Sequence, residues 1–226
     1  MEVKPIAIIS TDWHLKPDNC ELINNLLQDE LELAKDMEVD THIWLGDIFD
    51  SRISQKECVL NTFGNILDSY HNNKQKMFVI PGNHDKTDYT SKNSFLDPYK
   101  YHPSFVLLRD GVIKEIGGLK MAFMPFLSDK EWLDEFENIK DKKADILFTH
   151  MAFDGSCNND GSKVDSKLTP TVLKKYKFVL SGHYHNMQYV TQSIIHLGSL
   201  CQNNFGEDDK KGFYILYSDG TTELIK

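Results

Sequence analysis

Three apolar stretches with strand character alternate with two amphipathic helical stretches, and a metal-ligand residue follows each strand at a nearly constant interval. Residues 4–10, 41–45 and 76–80 read as strands. Residues 19–37 and 54–71 carry apolar side chains at helical spacing: Leu22, Ile23, Leu26, Leu27, Leu31 and Leu33 in the first, Val59, Leu60, Phe63, Ile66 and Leu67 in the second. This β-α-β-α-β order predicts a parallel sheet with right-handed crossovers. Asp12 follows the first strand, Asp47 the second and Asn83 the third, 35 and 36 residues apart, about one βαβ unit each. In open α/β sheets ligands gather beyond the carboxyl ends of the strands, so one fold brings all three together.

The second half changes character. Short strands at 104–108, 111–116 and 119–124, separated by Asp110-Gly111 and Gly117-Gly118, read as a meander. A helix is expected over 129–139, then a strand at 145–149 that delivers His150. A polar loop (154–167) and a short helix (170–176) lead to the strand 178–181, which delivers Gly182-His183-Tyr184-His185. The tail segments 187–197, 212–217 and 221–225 read as hairpins with a Ser218-Asp219-Gly220 turn. Two packed sheets with helices outside satisfy this order, and the whole of 1–226 reads as a single domain without linker or repeat.

The charge of −9 argues against a generally basic, phosphate-binding surface. Bound cations would cover Asp12 and Asp47, leaving the site locally positive on an acidic body. Arg52 and Arg109 are the sole arginines, which makes base reading by arginine a poor expectation. Cys20, Cys58, Cys157 and Cys201 are scattered and form no C-x-x-C pair, and the start has no signal-peptide pattern. A reduced, cytoplasmic setting is expected, with no membrane span. Cys157 lies near the ligand segments and reads as a bystander in a polar loop.

Four segments end in metal-binding side chains: Asp12-Trp13-His14, Gly46-Asp47-Ile48-Phe49-Asp50, Gly82-Asn83-His84-Asp85 and Gly182-His183-Tyr184-His185. With His150 they offer seven ligands, Asp12, His14, Asp47, Asn83, His150, His183 and His185, for two divalent cations. Carboxylate, amide oxygen and imidazole together suit Mn²⁺, Fe²⁺ or Zn²⁺ better than Ca²⁺ or Mg²⁺, and the lack of thiolates argues against structural zinc. Asp47 can bridge two ions, and ions ~3.5–4 Å apart can activate water for in-line attack at phosphorus. Gly46, Gly82 and Gly182 precede ligands where the backbone is expected to turn sharply. His84 is the candidate proton donor, supported by the Asp50 carboxylate. Asp85 reads as a local cap, and His42, His71, His102 and His196 as structural or exposed.

The set D-x-H, G-D-x-x-D, G-N-H-D, H and G-H-x-H resembles the calcineurin-like metallophosphoesterase superfamily, and the resemblance runs from Asp12 to His185. It implies a two-sheet α/β/β/α sandwich. It also implies that Asp12, His14, Asp47 and His185 hold one ion and Asp47, Asn83, His150 and His183 the other. His84 is then the proton donor and Asp50 its support. Gly46-Asp-Ile-Phe-Asp50, His196-Leu-Gly-Ser-Leu200, Phe205-Gly-Glu207 and Lys211-Gly-Phe213 look like the SbcD-type DNA nucleases, which implies manganese, with Fe²⁺, Zn²⁺ or Mg²⁺ as alternatives. It implies DNA taken without sequence preference, at ends or as single strands. An SMC-like ATPase partner and a homodimer fall within the same resemblance. The capping and ATPase-binding regions of those nucleases find no counterpart here, as in a compact phage-like version working in host cytoplasm.

Two other readings stand beside the nuclease. One is a phosphodiesterase or phosphatase for nucleotides or other small phosphates; the other is a scaffold of the same fold without catalysis. A nuclease needs an open groove and a small-molecule enzyme a closed pocket. Tyr89, Tyr99 and Tyr101 in the loop 86–103 are candidates for stacking bases. Lys86, Lys92, Lys163, Lys167, Lys174 and Lys175 are candidates for tracking a backbone.

Overall fold

The computed structural model describes residues 2–158 and 161–226, so the segment 159–160 of the polar loop lies outside the described residues. Among the described residues the chain forms twelve strands and four α-helices. In order they are β1 (Pro5–Ser10), α1 (Cys20–Asp36), β2 (Thr41–Trp44), α2 (Glu57–Asn72), β3 (Lys76–Val79), β4 (Phe105–Leu107), β5 (Val112–Ile116) and β6 (Leu119–Met124). Then follow α3 (Asp129–Glu137), β7 (Ile146–Thr149), α4 (Pro170–Leu173), β8 (Phe178–Ser181), β9 (Gln188–Tyr189), β10 (Ile194–His196), β11 (Phe213–Tyr217) and β12 (Thr222–Ile225).

The strands make two six-stranded sheets, ordered β12-β11-β1-β2-β3-β4 and β5-β6-β7-β8-β10-β9. In the first sheet β1, β2 and β3 are parallel, as the alternating pattern predicts, β4 extends the parallel run beside β3, and β11 joins antiparallel to β1. In the second, β6, β7, β8 and β10 are parallel. The expected meander over 104–124 does not form. β4 pairs parallel with β3 in the first sheet, while β5 and β6 pair antiparallel in the second. The chain therefore changes sheets between Leu107 and Val112, and the Asp110-Gly111 signal marks that crossing rather than a hairpin.

Side-chain alternation explains why two sheets stack. Along β1, Ile8 packs outward under α1 and α2, while Ala7 and Ile9 face the second sheet. Along β7, Leu147 packs under α3 and Ile146 and Phe148 face inward. The inner layer joins Ile43, Leu45, Phe78 and Ile80 to Met121, Phe123, Phe148 and Leu180. Phe123 stacks on Phe148 at 5.2 Å and on Phe78 at 6.2 Å between ring centroids. Each such buried ring contributes about 1.5–3 kcal/mol of transfer free energy. The layers run α/β/β/α.

His42, read as structural, is fully buried on β2, where its ring nitrogens lie 2.7 Å from Glu30 Oε1 and 3.0 Å from Gln75 Oε1. Among the described residues no helix is long and apolar enough to cross a membrane. Both sheets direct the carboxyl ends of their parallel strands toward one edge of the sandwich. Asp12 follows β1, Asp47 β2, Asn83 β3, His150 β7 and His183 β8.

Candidate metal centre

The loops beyond the strand ends are held by backbone hydrogen bonds between neighbours. Asp12 N–H donates to Gly46 O at 3.0 Å, His14 N–H to Asp47 O at 3.0 Å and Leu15 N–H to Ile48 O at 2.8 Å. Asn19, just before α1, donates from Nδ2 to His14 O at 3.0 Å and fixes the first loop from the other side. Among the described residues, six that are not glycine have positive φ, and four of them are ligand candidates: Asp12 (54°), His14 (48°), Asp47 (51°) and His183 (84°). Strained backbone of this kind persists where the surroundings over-determine it, and it concentrates at functional sites.

Gly46 fits the expected sharp turn, whereas Gly82 and Gly182 are required for a different reason. Gly46 alone among them has positive φ, at 88°. A Cβ on Gly82 would run into the backbone nitrogen and carboxylate of Asp47. One on Gly182 would meet Thr11 Oγ1, and lie 2.7 Å from Asp12 Oδ2 and 2.8 Å from His150 Nδ1. Glycine at both positions lets two loops close onto the ligands.

All seven predicted ligands converge. Asp12, His14 and His185 offer ligand atoms within 4.8 Å of one another, and so do Asp12, Asp47 and His150. Asn83 Oδ1 sits 2.7 Å from His183 Nδ1 and 3.2 Å from His150 Nε2, which closes the second group. Asp47 stands between the groups, with Oδ2 3.7 Å from His14 Nε2 and Oδ1 3.3 Å from His150 Nε2. Burial opposes its charge, but the facing His150 and His14 outweigh that and hold its carboxyl well below the usual range.

The donor chemistry fits divalent cations. His185 Nδ1 lies 2.7 Å from Glu207 Oε1, and His14 Nδ1 lies 3.6 Å from Asp50 Oδ1. With the protons on those nitrogens, the two Nε2 lone pairs face each other at 2.9 Å beside Asp12. Two acceptors aimed at one another beside carboxylates are an arrangement that a cation relieves.

Asp50 does not contact His84 through its carboxylate. Its carbonyl oxygen accepts from His84 Nδ1 at 2.6 Å, whereas its carboxylate faces His14. The loop after Asp47 curls so that the Asp50 main chain, and not its side chain, points at the imidazole. His84 Nε2 is left facing outward, 2.6 Å from Arg52 Nη2. Burial lowers the His84 pKa, and the neighbouring His14 and Arg52 charges reinforce this. Asp85 is fully buried and accepts from Gly82 N–H at 2.9 Å and Phe49 N–H at 3.0 Å, the local cap that was expected. Burial and the Asp47 charge raise its pKa to about 6.

Several residues at the site were given no place there by the sequence patterns. Arg52 bridges His84 and Tyr89, with Nη1 donating to the Tyr89 hydroxyl at 2.8 Å. His196 is fully buried behind the last ligand loop, its Nδ1 3.0 Å from Gly182 O and its Nε2 2.9 Å from Ser156 Oγ. Thr11 Oγ1 donates to Asp12 Oδ2 at 2.7 Å. Glu207 was visible only as part of the Phe205-Gly-Glu207 motif.

The lysine expectation is corrected in part. Lys86 is buried, with Nζ donating to Ser91 O at 2.9 Å and Phe126 O at 2.7 Å, so it braces a loop. Lys92 pairs with Asp110 and Glu135, and Lys175 donates to the Lys140 carbonyl. Of the three tyrosines, Tyr89 stands at the site and Tyr99 packs on Phe63 at 4.8 Å between centroids. Tyr101 is exposed beside Lys100.

The sequence profile described as "Calcineurin-like phosphoesterase" matches residues 5–187. Exonuclease subunit 1 of Enterobacteria phage T4 is 25% identical over 224 residues, covering 95% of this chain and 65% of that protein. This chain thus spans about two thirds of that relative's length. Among solved structures, a dimetal phosphatase from Danio rerio aligns with a TM-score of 0.64 at 13% identity, over 95% of this chain and 93% of that one. The calcineurin-like phosphoesterase YfkN from Bacillus subtilis aligns at 0.52 and 12% identity, over 99% of this chain and 88% of that one.

Proposed function

The chain belongs to the calcineurin-like phosphoesterase family, a hydrolase of phosphoric esters, and on that footing we propose that it is a manganese-dependent nuclease that cuts DNA at ends or in single strands. The observation that carries the two-metal part is Asp47, whose two oxygens face two separate groups of ligands. The choice of a polynucleotide is supported by likeness to the phage T4 exonuclease subunit along 95% of this chain, and by Arg52 at the mouth of the site.

Asp12, His14, Asp47 and His185 would hold one ion, and Asp47, Asn83, His150 and His183 the other. Bound there, the pair supplies Lewis-acid stabilisation of charge at phosphorus and a more acidic attacking water. Around them the chain does the rest. A diester approaching His84 meets the exposed Arg52 guanidinium, and pairing with a phosphate oxygen draws Arg52 away from His84 Nε2. The freed Nε2 then faces the leaving oxygen, while the Asp50 carbonyl keeps the ring oriented through Nδ1. While Arg52 donates to it that nitrogen carries no proton, so once freed it takes one up from solvent and passes it to the leaving oxygen, returning to the neutral ring. The same reading extends to a partner ATPase, to pairing of two copies and to a cytoplasmic setting.

The test is a Mn²⁺ assay on end-labelled single- and double-stranded DNA beside bis-p-nitrophenyl phosphate and p-nitrophenyl phosphate, with Asp47→Asn as control. Shortened DNA from the wild type alone is the expected result. Intact DNA with turnover of a small ester would replace the nuclease by an enzyme for small phosphates. Absence of turnover and of Mn²⁺ binding would leave a scaffold.

A further inference from the structure

The segment between β10 and β11 runs back across the metal centre as a strap. Leu200 N–H donates to Thr11 O at 3.0 Å, Asn203 Nδ2 to Asp12 O at 3.3 Å and Ser199 N–H to His185 O at 3.0 Å. At its centre the Glu207 side chain is 3% exposed and fully partnered. Its Oε1 lies 2.7 Å from His185 Nδ1 and accepts from Asn204 Nδ2 at 3.0 Å. Its Oε2 accepts from Asn203 N–H at 3.0 Å and lies 3.2 Å from Lys211 Nζ. Lys211 also donates to the His185 carbonyl, so both ends of that residue are held by the strap.

From these contacts we infer that Glu207 is a positioning residue for one of the two cation sites, fixing the tautomer and orientation of His185 through Nδ1. The inference rests on the two-metal reading above. A carboxylate on the far nitrogen commits the proton to Nδ1 and leaves Nε2 as a bare, more basic ligand. His185 Nε2 belongs to the group with Asp12 and His14, whereas among the described residues the Glu207 carboxylate makes its hydrogen bonds and ion pairs with His185, Asn203, Asn204 and Lys211 and not with His150, Asn83 or His183. The effect is therefore confined to one site. Four partners on one carboxylate also make the strap a single cooperative support rather than a loose loop.

The experiment compares wild type, Glu207→Gln and Glu207→Ala. Mn²⁺ stoichiometry and affinity come from calorimetry, the electron paramagnetic resonance spectrum from samples at two Mn²⁺ per chain and a concentration below the dissociation constant of the weakened site, and folding from thermal denaturation of the metal-free proteins. Wild type is expected to bind two ions per chain with a spin-coupled spectrum. Glu207→Ala should keep one site unchanged and weaken the other ~10–100-fold, leaving an uncoupled mononuclear spectrum. Glu207→Gln retains an acceptor for His185 Nδ1–H and should fall between. Two sites weakened equally, together with a lowered melting temperature, would make Glu207 a general structural residue and overturn the inference. So would two sites unchanged in Glu207→Ala. Wild type that binds fewer than two ions overturns the two-metal reading itself, and the inference with it.

Discussion

Asp47 Oδ1 accepts a hydrogen bond from the backbone N–H of His84 at 2.7 Å, which ties the carboxylate between the two ligand groups to the residue placed as proton donor. Asp47 thereby also anchors the backbone at His84. Asp47→Asn presents an N–H₂ in place of one oxygen and is expected to weaken both ions together by at least ~10-fold, read as metal bound per chain. His84→Ala is expected to keep both ions and lose turnover by ~10²–10⁴-fold on DNA, with a smaller loss on p-nitrophenyl esters, whose leaving group needs no proton. Loss of metal from His84→Ala would show that the division of roles is wrong.

The glycines give a contrast within one chain. Gly64 lies in α2, where a Cβ would have open space for 4 Å around it, so Gly64→Ala is expected to stabilise by ~0.5–1 kcal/mol and raise Tm by about 1–4 °C. Gly182→Ala places a methyl group against Thr11, Asp12 and His150 and is expected to cost ~1–3 kcal/mol. It should also lower Mn²⁺ affinity. Calorimetry with and without Mn²⁺ checks both; a Gly182→Ala protein as stable as wild type would remove the close-approach argument.

Burial lowers the His196 pKa from 6.5 to about 4, against the hydrogen bond from its ring to the Gly182 carbonyl. The fold therefore holds His196 neutral, and the unfolded chain takes up a proton first as the pH falls. Its stabilisation is complete above pH 6.5 and is lost between 6.5 and about 4, a change of about 3 kcal/mol. Urea denaturation of the metal-free protein at pH 7.5 and pH 4 should show that loss in excess of the loss in His196→Gln. Equal pH dependence in the two proteins would count against a neutral buried His196.

The order of strands and helices in the first half and the convergence of Asp12, Asp47 and Asn83 were legible in the sequence, because they rest on local periodicity and on the rule that parallel strands end at one edge, and the seven residues that meet at the site were legible as short motifs. Four other features were settled by tertiary structure: the passage from β4 to β5 between sheets, the antiparallel insertion of β11 beside β1, the turn of the Asp50 carboxylate toward His14 and the burial of Lys86. Each depends on which distant strand or loop lies alongside, and periods of 2 and 3.6 residues carry no information about that. Arg52 and Glu207 show the same division. One is among the two arginines and the other lies in a short motif, but neither pattern says what the side chain touches, and they acquire a place at the site because folding brings Arg52 to His84 across 32 positions and Glu207 to His185 across 22.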